Sequence, residues 1–561
     1  MHKFKWKTAS AVAALSIGLI GAGIITAQAA VHVKTQKAEQ ALGVLTMPSG
    51  DSSSAAAESA GGPVFEGPRL SSIPDAELER LKNLVGAGDG PDSVGEAPAL
   101  APAPKAVLVN CTMNVATGAA PSDVHGAATP TNLIEVTNRD IMIRNKATCG
   151  LVSSMSLATF FSQNFGFTIA PGESLFDPRV VYDRLAGRCI VIVDSRNSGN
   201  TNQFLYVAAS TTSSCTAWRR YRFILSRISP AALFCKATAA NFYDYPNLGY
   251  NNTRAVVTSN NFTSATGSFT QGTLLSMDKG ELYSGAPSVH ARCFRSSTYP
   301  FSMAPAIQQD FNTSMFILST GAGSGSVIRR FRLTPSGSGA GMTDTFTALS
   351  SINIPFWTAP PDAVQPNGRK IDSLDGRLQS ASKQIGTVMW QVHAVNVGGF
   401  SRWRMYKVST SGTSVLFSRT PTTGTCANVD HLFNPSIDTN STSTSALAFV
   451  TASRTCPSQA AGRAAHLIFR GANASNVGWV FNTVATSANQ FTILGGSAGS
   501  ASCNTTGTDF RGSCRWGDYS STQIDPSSPT TAWGFNQLIT TGTLGGAQSQ
   551  FNWTTRAGRV N

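Results

Sequence analysis

From residue 107 onward the chain alternates short apolar runs with Gly, Ser, Asn and Thr, and it shows almost no helical periodicity. Asn132-Leu133-Ile134-Glu135-Val136-Thr137, Asp140-Ile141-Met142-Ile143, Phe204-Leu205-Tyr206-Val207-Ala208 and Ala255-Val256-Val257-Thr258 are examples. Val388-Met389-Trp390-Gln391-Val392-His393 and Ala532-Trp533-Gly534-Phe535 continue the pattern near the end. Such runs predict strands, because apolar side chains at every second position line one face of a pleated sheet. Six segments share a further feature, a polar or proline-bearing turn that leads into apolar alternation. They are Phe176-Asp177-Pro178-Arg179, Asp244-Tyr245-Pro246-Asn247, Met303-Ala304-Pro305, Leu374-Asp375-Gly376-Arg377, Phe433-Asn434-Pro435 and Arg515-Trp516-Gly517-Asp518-Tyr519-Ser520. From Phe176 through Tyr245, Met303, Leu374 and Phe433 to Trp516 the steps are 69, 58, 71, 59 and 83 residues. A turn-then-strand unit recurring at this period predicts radial repetition of small antiparallel sheets, an all-β chain folded as a β-propeller. At about 65 residues per repeat the chain holds about seven blades, or six if the first strands and Phe551-Asn552-Trp553 share one.

The N-terminal part has a different texture. Lys3, Lys5 and Lys7, an apolar stretch over 9–25 and then Ala27-Gln28-Ala29 predict a cleavable signal peptide over 1–29. Residues 30–105 carry low-complexity tracts such as Ser52-Ser53-Ser54-Ala55-Ala56-Ala57 and Ala97-Pro98-Ala99-Leu100. This composition predicts a disordered linker or propeptide, since it cannot bury a core of its own. The exception is 72–85, where Leu78, Leu81 and Leu84 share a helical face behind Pro74. It predicts a short helix that either docks on the propeller or belongs to a propeptide. The propeller domain is then 106–561. No later stretch reaches the roughly 20 apolar residues of a membrane span, so a secreted, monomeric protein is expected.

All ten cysteines follow the signal, which predicts up to five disulfides in an oxidising compartment. Cys503–Cys514, Cys426–Cys456 and Cys215–Cys235 are the nearest-neighbour pairings. No C-x-x-C pair occurs, and neither a metal nor a cofactor is expected. The formal charge of +13 falls to +10 without the three signal-segment lysines. Outside the cytoplasm that excess favours an acidic polysaccharide or a cell-surface glycan as partner. No Lys/Arg block of five exists and aromatics are not interleaved with basic residues, so no specific nucleic-acid partner is expected.

In a propeller the innermost strand of each blade begins near the axis, so the six turns converge on one channel mouth. That brings together Asp177, Arg179, Asp244, Tyr245, Asp375, Arg377, His431, Arg515, Asp518 and Tyr519 as candidate ligand-binding or catalytic residues. A lyase acting on uronate polymers would use His431 or Tyr519 as base and Arg377 and Arg515 to neutralise the carboxylate. Plainer roles compete with these. Asp beside Pro caps turns, an Arg adjoining Asp, as in Asp375-Gly376-Arg377, forms an inter-blade ion pair, and Trp516 and Tyr519 pack between blades. His393 lies in an apolar strand and reads as a core histidine.

The Phe176–Asp183 stretch, Ile371-Asp372-Ser373-Leu374-Asp375-Gly376-Arg377 and Arg515-Trp516-Gly517-Asp518-Tyr519-Ser520 resemble a group of exported bacterial proteins. That group stands near the sialidase-like β-propellers, and most of its members lack an assigned activity. The resemblance spans about Asn132 to Val560. It implies the propeller fold. If the sialidase likeness extends to chemistry, it implies an arginine triad of Arg179, Arg377 and Arg515 around a substrate carboxylate. Tyr519 would then be the nucleophile and Asp518 the acid. The chain departs from that pattern in having one degenerate Asp-box, Ser276-Met277-Asp278-Lys279-Gly280. The leading expectation is therefore glycan recognition through the channel face, with a lyase or sialidase-like hydrolase as the alternative.

Overall fold

A computed structural model describes residues 32–51, 64–65, 70–84, 93–95, 106–115, 119–227, 232–233, 235, 240–420, 426, 429–440, 447–458, 463–472, 479–491, 513–539 and 553–561. The signal segment lies outside these residues. The strands follow one another as antiparallel meanders of four, numbered here as blades. Blade 1 is His125–Ala128, Asn132–Val136, Asp140–Asn145 and Leu151–Ser156. Blade 2 is Glu173–Asp183, Arg188–Asn197, Gln203–Ser210 and Ala217–Arg227. Blade 3 is Asn241–Tyr250, Arg254–Thr263, Phe269–Asp278 and His290–Ser296. Blade 4 is Ala304–Gln308, Met315–Ser319, Ser324–Thr334 and Thr345–Thr358. Blade 5 is Ser382–Ile385, Val388–Val397, Phe400–Ser409 and Val415–Arg419. Blade 6 is His431–Thr439, Leu447–Thr455, Ala465–Ala472 and Val480–Thr486. Blade 7 takes Ser521–Asp525, Ser528–Ile539 and Trp553–Val560 from the C-terminal part and its outer strand, Val107–Val115, from the N-terminal part.

The first strands of the blades stand side by side around an axis, so the architecture is a β-propeller. Tyr250 of blade 3 pairs in parallel with Ile307 of blade 4, and Ala306–Gln308 pair with Ser382–Gln384 of blade 5. Between blades 7 and 1, Ser521 Oγ accepts from Gly126 N at 2.7 Å and Gln523 Oε1 accepts from Ala128 N at 3.1 Å. The core is a ring of layers between neighbouring blades. Ile192 and Val207 of blade 2 meet Val257 and Leu275 of blade 3, and Trp403 and Met405 of blade 5 meet Val450 and Phe469 of blade 6. Alternation supplies one apolar face to each neighbour, and this is why the strand runs are so densely hydrophobic.

Segment 30–105 is not a free linker throughout. His32–Lys37 adds to the outer edge of blade 3, Glu39–Gln40 and Leu45–Thr46 to blade 2, and Gly50–Asp51 to blade 1. Ser93–Gly95 adds to blade 5. These residues need no core of their own, because they borrow unpaired edges that would otherwise invite aggregation. The helix forms over Asp75–Lys82, with Leu78 and Leu81 buried against the propeller.

Disulfides join Cys111–Cys149, Cys189–Cys215, Cys235–Cys293 and Cys426–Cys456, with Cα separations of 5.3 to 5.9 Å. Cys215 therefore pairs with Cys189 and not with Cys235. Cys189 begins the strand beside the turn that carries Cys215, whereas Cys235 follows the outer strand of the blade and reaches blade 3. Cys514 is also disulfide-bonded, and Cys503 lies outside the described residues. No described helix is long and apolar enough to cross a membrane.

Candidate site at the channel mouth

Each blade begins with one residue at positive φ. These are Asp123 (44°), Asp177 (52°), Tyr245 (57°), Ser302 (50°), Leu374 (61°), Asn434 (49°) and Gly517 (151°). The register slips beside three of them, between Phe176 and Arg179, Asp244 and Asn247, and Phe433 and Ser436. Each is a bulge that re-aims the chain as it enters the innermost strand. A left-handed backbone costs a non-glycine residue of order 1–2 kcal/mol and persists only where its surroundings over-determine it. Here neighbouring blades do so. Asp177 Oδ2 accepts from Tyr245 N at 3.0 Å, Asn138 Oδ1 from Asp177 N at 2.9 Å, and Asp123 Oδ1 from Asp518 N at 2.6 Å.

Inside this ring of kinks, blades 2, 3, 5 and 7 contribute a cationic and aromatic cluster. The Arg179 guanidinium lies 3.3 Å from the Tyr519 ring centroid and 5.5 Å from that of Tyr245. Its Nε donates to Pro246 O at 3.0 Å and its Nη1 to Gln379 O at 3.1 Å. Its Nη2 has no acceptor, and no carboxylate pairs with it among the described residues. Arg377 sits 4.5 Å from the Tyr245 centroid and is held bidentately by Asp375 at 2.8 Å. Arg515 pairs with Asp518 on its own turn. The three arginines thus meet at one mouth, but two of them are neutralised by their nearest carboxylates.

Asp244 is partly exposed at the same rim. Burial raises its carboxyl; Asp518 adds to the effect, and Arg196, Arg377 and Arg515 offset it only in part. Behind it, Asp194 on Arg188–Asn197 is 1% exposed, and neither of its carboxyl oxygens accepts a hydrogen bond among the described residues. Burial, and then the charges of Asp177 and Asp244, push Asp194 well above the ordinary carboxylate range. Burial also raises the Tyr245 phenol, whose hydroxyl lacks a partner among the described residues, while the Tyr519 hydroxyl donates to Pro178 O at 3.2 Å.

Below the mouth a cavity of about 30 Å³, room for one or two waters, is lined by residues such as His125, Lys383, Gln309 and Asp438. Burial and the charges of Arg179 and Lys383 hold His125 neutral, and its Nδ1 accepts from Val180 N at 3.3 Å.

His431 does not join the cluster. It leads its strand three residues ahead of the Asn434 kink, and there its ring faces the blade 5 interface: Nδ1 accepts from Ser401 N at 3.2 Å and the ring edges Phe400. Burial, with Arg402 and Lys370 nearby, lowers it to about 3. His393 is a core histidine, bonded to Gly376 O at 2.7 Å and to the Tyr406 hydroxyl at 2.9 Å. Sequence patterns missed Asp194, Arg196, His125 and Lys383. One signal was present for Asp194, a carboxyl two residues past Ile192 and so in its apolar phase.

No protein-family model matches the chain, and no curated protein sequence does. Among solved structures it is similar to the Penicillium chrysogenum alpha-L-arabinanase, at 9% identity over 81% of this chain and 98% of that one, TM-score 0.35. It is similar to the phage phi92 endosialidase at 6% identity over 80% and 68%, TM-score 0.32. It is similar to the Trypanosoma rangeli sialidase at 10% identity over 69% and 54%, TM-score 0.28, so it spans about half the length of that protein. Likeness at this level assigns no chemistry.

Proposed function

We propose that this is an exported propeller that recognises an anionic glycan, an acidic polysaccharide or cell-surface polymer, at the channel mouth. One observation carries the reading: Arg179 is a buried cation with no carboxylate partner among the described residues and one unengaged guanidinium nitrogen, stacked on Tyr519. A buried cation without a counter-charge is costly unless an anion completes it. Arg377, Arg515 and Arg196 gather further positive charge around it, with Asp375 and Asp518 as built-in counter-ions that an incoming carboxylate competes with. Tyr245 supplies an apolar platform of the kind sugar rings stack on. The four disulfides and the signal-like segment support export. The experiment is retention of the purified protein on immobilised polyuronate across a salt gradient. Arg179→Ala is expected to elute earlier, and equal elution of both proteins overturns the assignment.

A second reading, hydrolysis, is favoured by Asp244. It is a partly exposed carboxyl held above its ordinary range beside arginines, which is what a proton donor requires. In that reading Tyr245, with its hydroxyl free, replaces Tyr519 as the candidate nucleophile, and His431 has no part. Incubation with sialosides and with uronate polymers, following released reducing sugar and new double bonds by absorbance, separates hydrolysis, elimination and binding.

A further inference from the structure

The mouth is closed in this structure. Arg179, Arg377 and Arg515 are only 1%, 2% and 7% exposed, too little for a polymer to reach any of them. Part of the cover comes from the chain itself. Leu70 O accepts from Arg377 Nη2 at 2.5 Å, and Ser71 Oγ donates to Asp375 Oδ2 at 3.0 Å, so residues 70–71 sit on the ion pair of the fifth blade. Five residues earlier, Val64–Phe65 pair in parallel with Ala119–Ala120, just before the Asp123 kink of the first blade. The two anchors therefore lie at separated blades of the same ring. Leu70 and Ile73 pack on the cluster of Phe242, Phe262 and Phe301, and the helix Asp75–Lys82 places Leu78 and Leu81 against Ala359. Lys82 is buried between Asp362 and Asp372, and Asn396 Nδ2 donates to Leu84 O at 2.6 Å.

We propose that residues 70–84 form a strap that occupies the recognition face and must leave before an anionic glycan can enter. The inference rests on the reading given under Proposed function. Three observations support it. Among the described residues the strap has no backbone ladder with the propeller; every anchor from 70 to 84 is a side chain on one side or the other. It bonds the groups an anion would engage, using Leu70 O as a stand-in acceptor for Arg377. Finally, the sequence on either side is rich in Gly, Ala, Ser and Pro, as in Ser54-Ala55-Ala56-Ala57 and Gly86-Ala87-Gly88.

The propeller side offers a way to evict it. A Cβ on Gly323 would stand 2.8 Å from Ile73 Cδ1 and from Leu81 Cδ1, so Gly323→Leu puts a branched side chain where the strap sits. Leu78→Asp attacks the same contact from the strap. Both full-length variants are compared with the parent by hydrogen exchange of the amides in 75–84 and by polyuronate retention. The expected result is at least a tenfold faster exchange in 75–84, an unchanged exchange pattern in the blades, and binding at least tenfold tighter than the parent. Tight binding by the parent that neither variant improves overturns the proposal. So does exchange of 75–84 that occurs only with global unfolding. If a variant fails to fold, a synthetic peptide of residues 68–86 added to the other tests the same point, since it must rebind and displace polyuronate. Released straps with no polyuronate binding by any form, but with peptide rebinding, support the strap and overturn the glycan reading.

Discussion

Two elements of the N-terminal segment cross onto the propeller within 50 residues of each other, and they are held in opposite ways. The closing strand, Val107–Val115, runs a backbone ladder along Trp553–Val560, buries Cys111 and Met113, and is cross-linked to blade 1 through Cys149. The strap over 70–84 buries Leu78 and Lys82 almost as completely, yet it pairs with no strand. Burial alone does not distinguish them. The ladder does, because a paired strand leaves only when its sheet opens, whereas a side-chain-docked element opens locally at a fraction of the global stability.

The sharpest way to break the comparison is to remove each element. Deleting 107–115 is expected to abolish cooperative thermal unfolding, since blade 7 loses its outer strand and the ring its closure. Replacing Cys111 and Cys149 together by Ser should cost about 2–4 kcal/mol in urea unfolding. Leu78→Ala, by contrast, should shift the thermal midpoint by less than about 2 °C while exposing 75–84 to exchange.

The seam between blades 7 and 1 also carries its own pH signature. Glu135, 1% exposed, takes a hydrogen bond from Thr555 of blade 7, and burial raises its carboxyl to about 8. A carboxyl raised in the folded state binds more protons folded than unfolded. Its contribution is therefore full below about pH 4.5 and is lost as pH rises to about 8, on the order of 5 kcal/mol in all. Glu135→Gln should remove that alkaline loss, read as urea midpoints at pH 5 and pH 9. Opposing it, burial lowers His393, His431 and His466 to about 3. Each contributes stability that is present above about pH 6.5 and lost as pH falls toward 3, and His466→Gln should flatten part of that acid limb. The smallest effect is expected at Tyr519→Phe, which loses one hydrogen bond to Pro178 O and about 1 kcal/mol while leaving the Arg179 stack in place.

The strands and the mouth were readable because alternation and turn chemistry leave marks on the side chains. Phe176-Asp177-Pro178 and Phe433-Asn434-Pro435 announce a kink through residues that tolerate positive φ or fix the next one. The turn at Ser122-Asp123 is equivalent in backbone but lacks the aromatic and the proline, so no pattern flagged it. The edge strands over 32–51 were unreadable for another reason. They are held by main-chain pairing to an existing edge, and main-chain groups are the same in every sequence. His431 was misplaced because it stands three residues ahead of the Asn434 kink, where its ring meets Ser401 and Phe400 of blade 5. Asp194 needed tertiary knowledge, since its two acidic neighbours come from different strands.

The seven kinks are built on Asp, Asp, Tyr, Ser, Leu, Asn and Gly. Five kinds of side chain and one glycine stand at the same place in the seven blades, and the carboxylates among them are part of the frame. Asp177 bonds the backbone of the Tyr245 kink and Asp123 that of Asp518 beside the Gly517 kink, so exchanging either side chain loosens the entry of a neighbouring blade as well as its own.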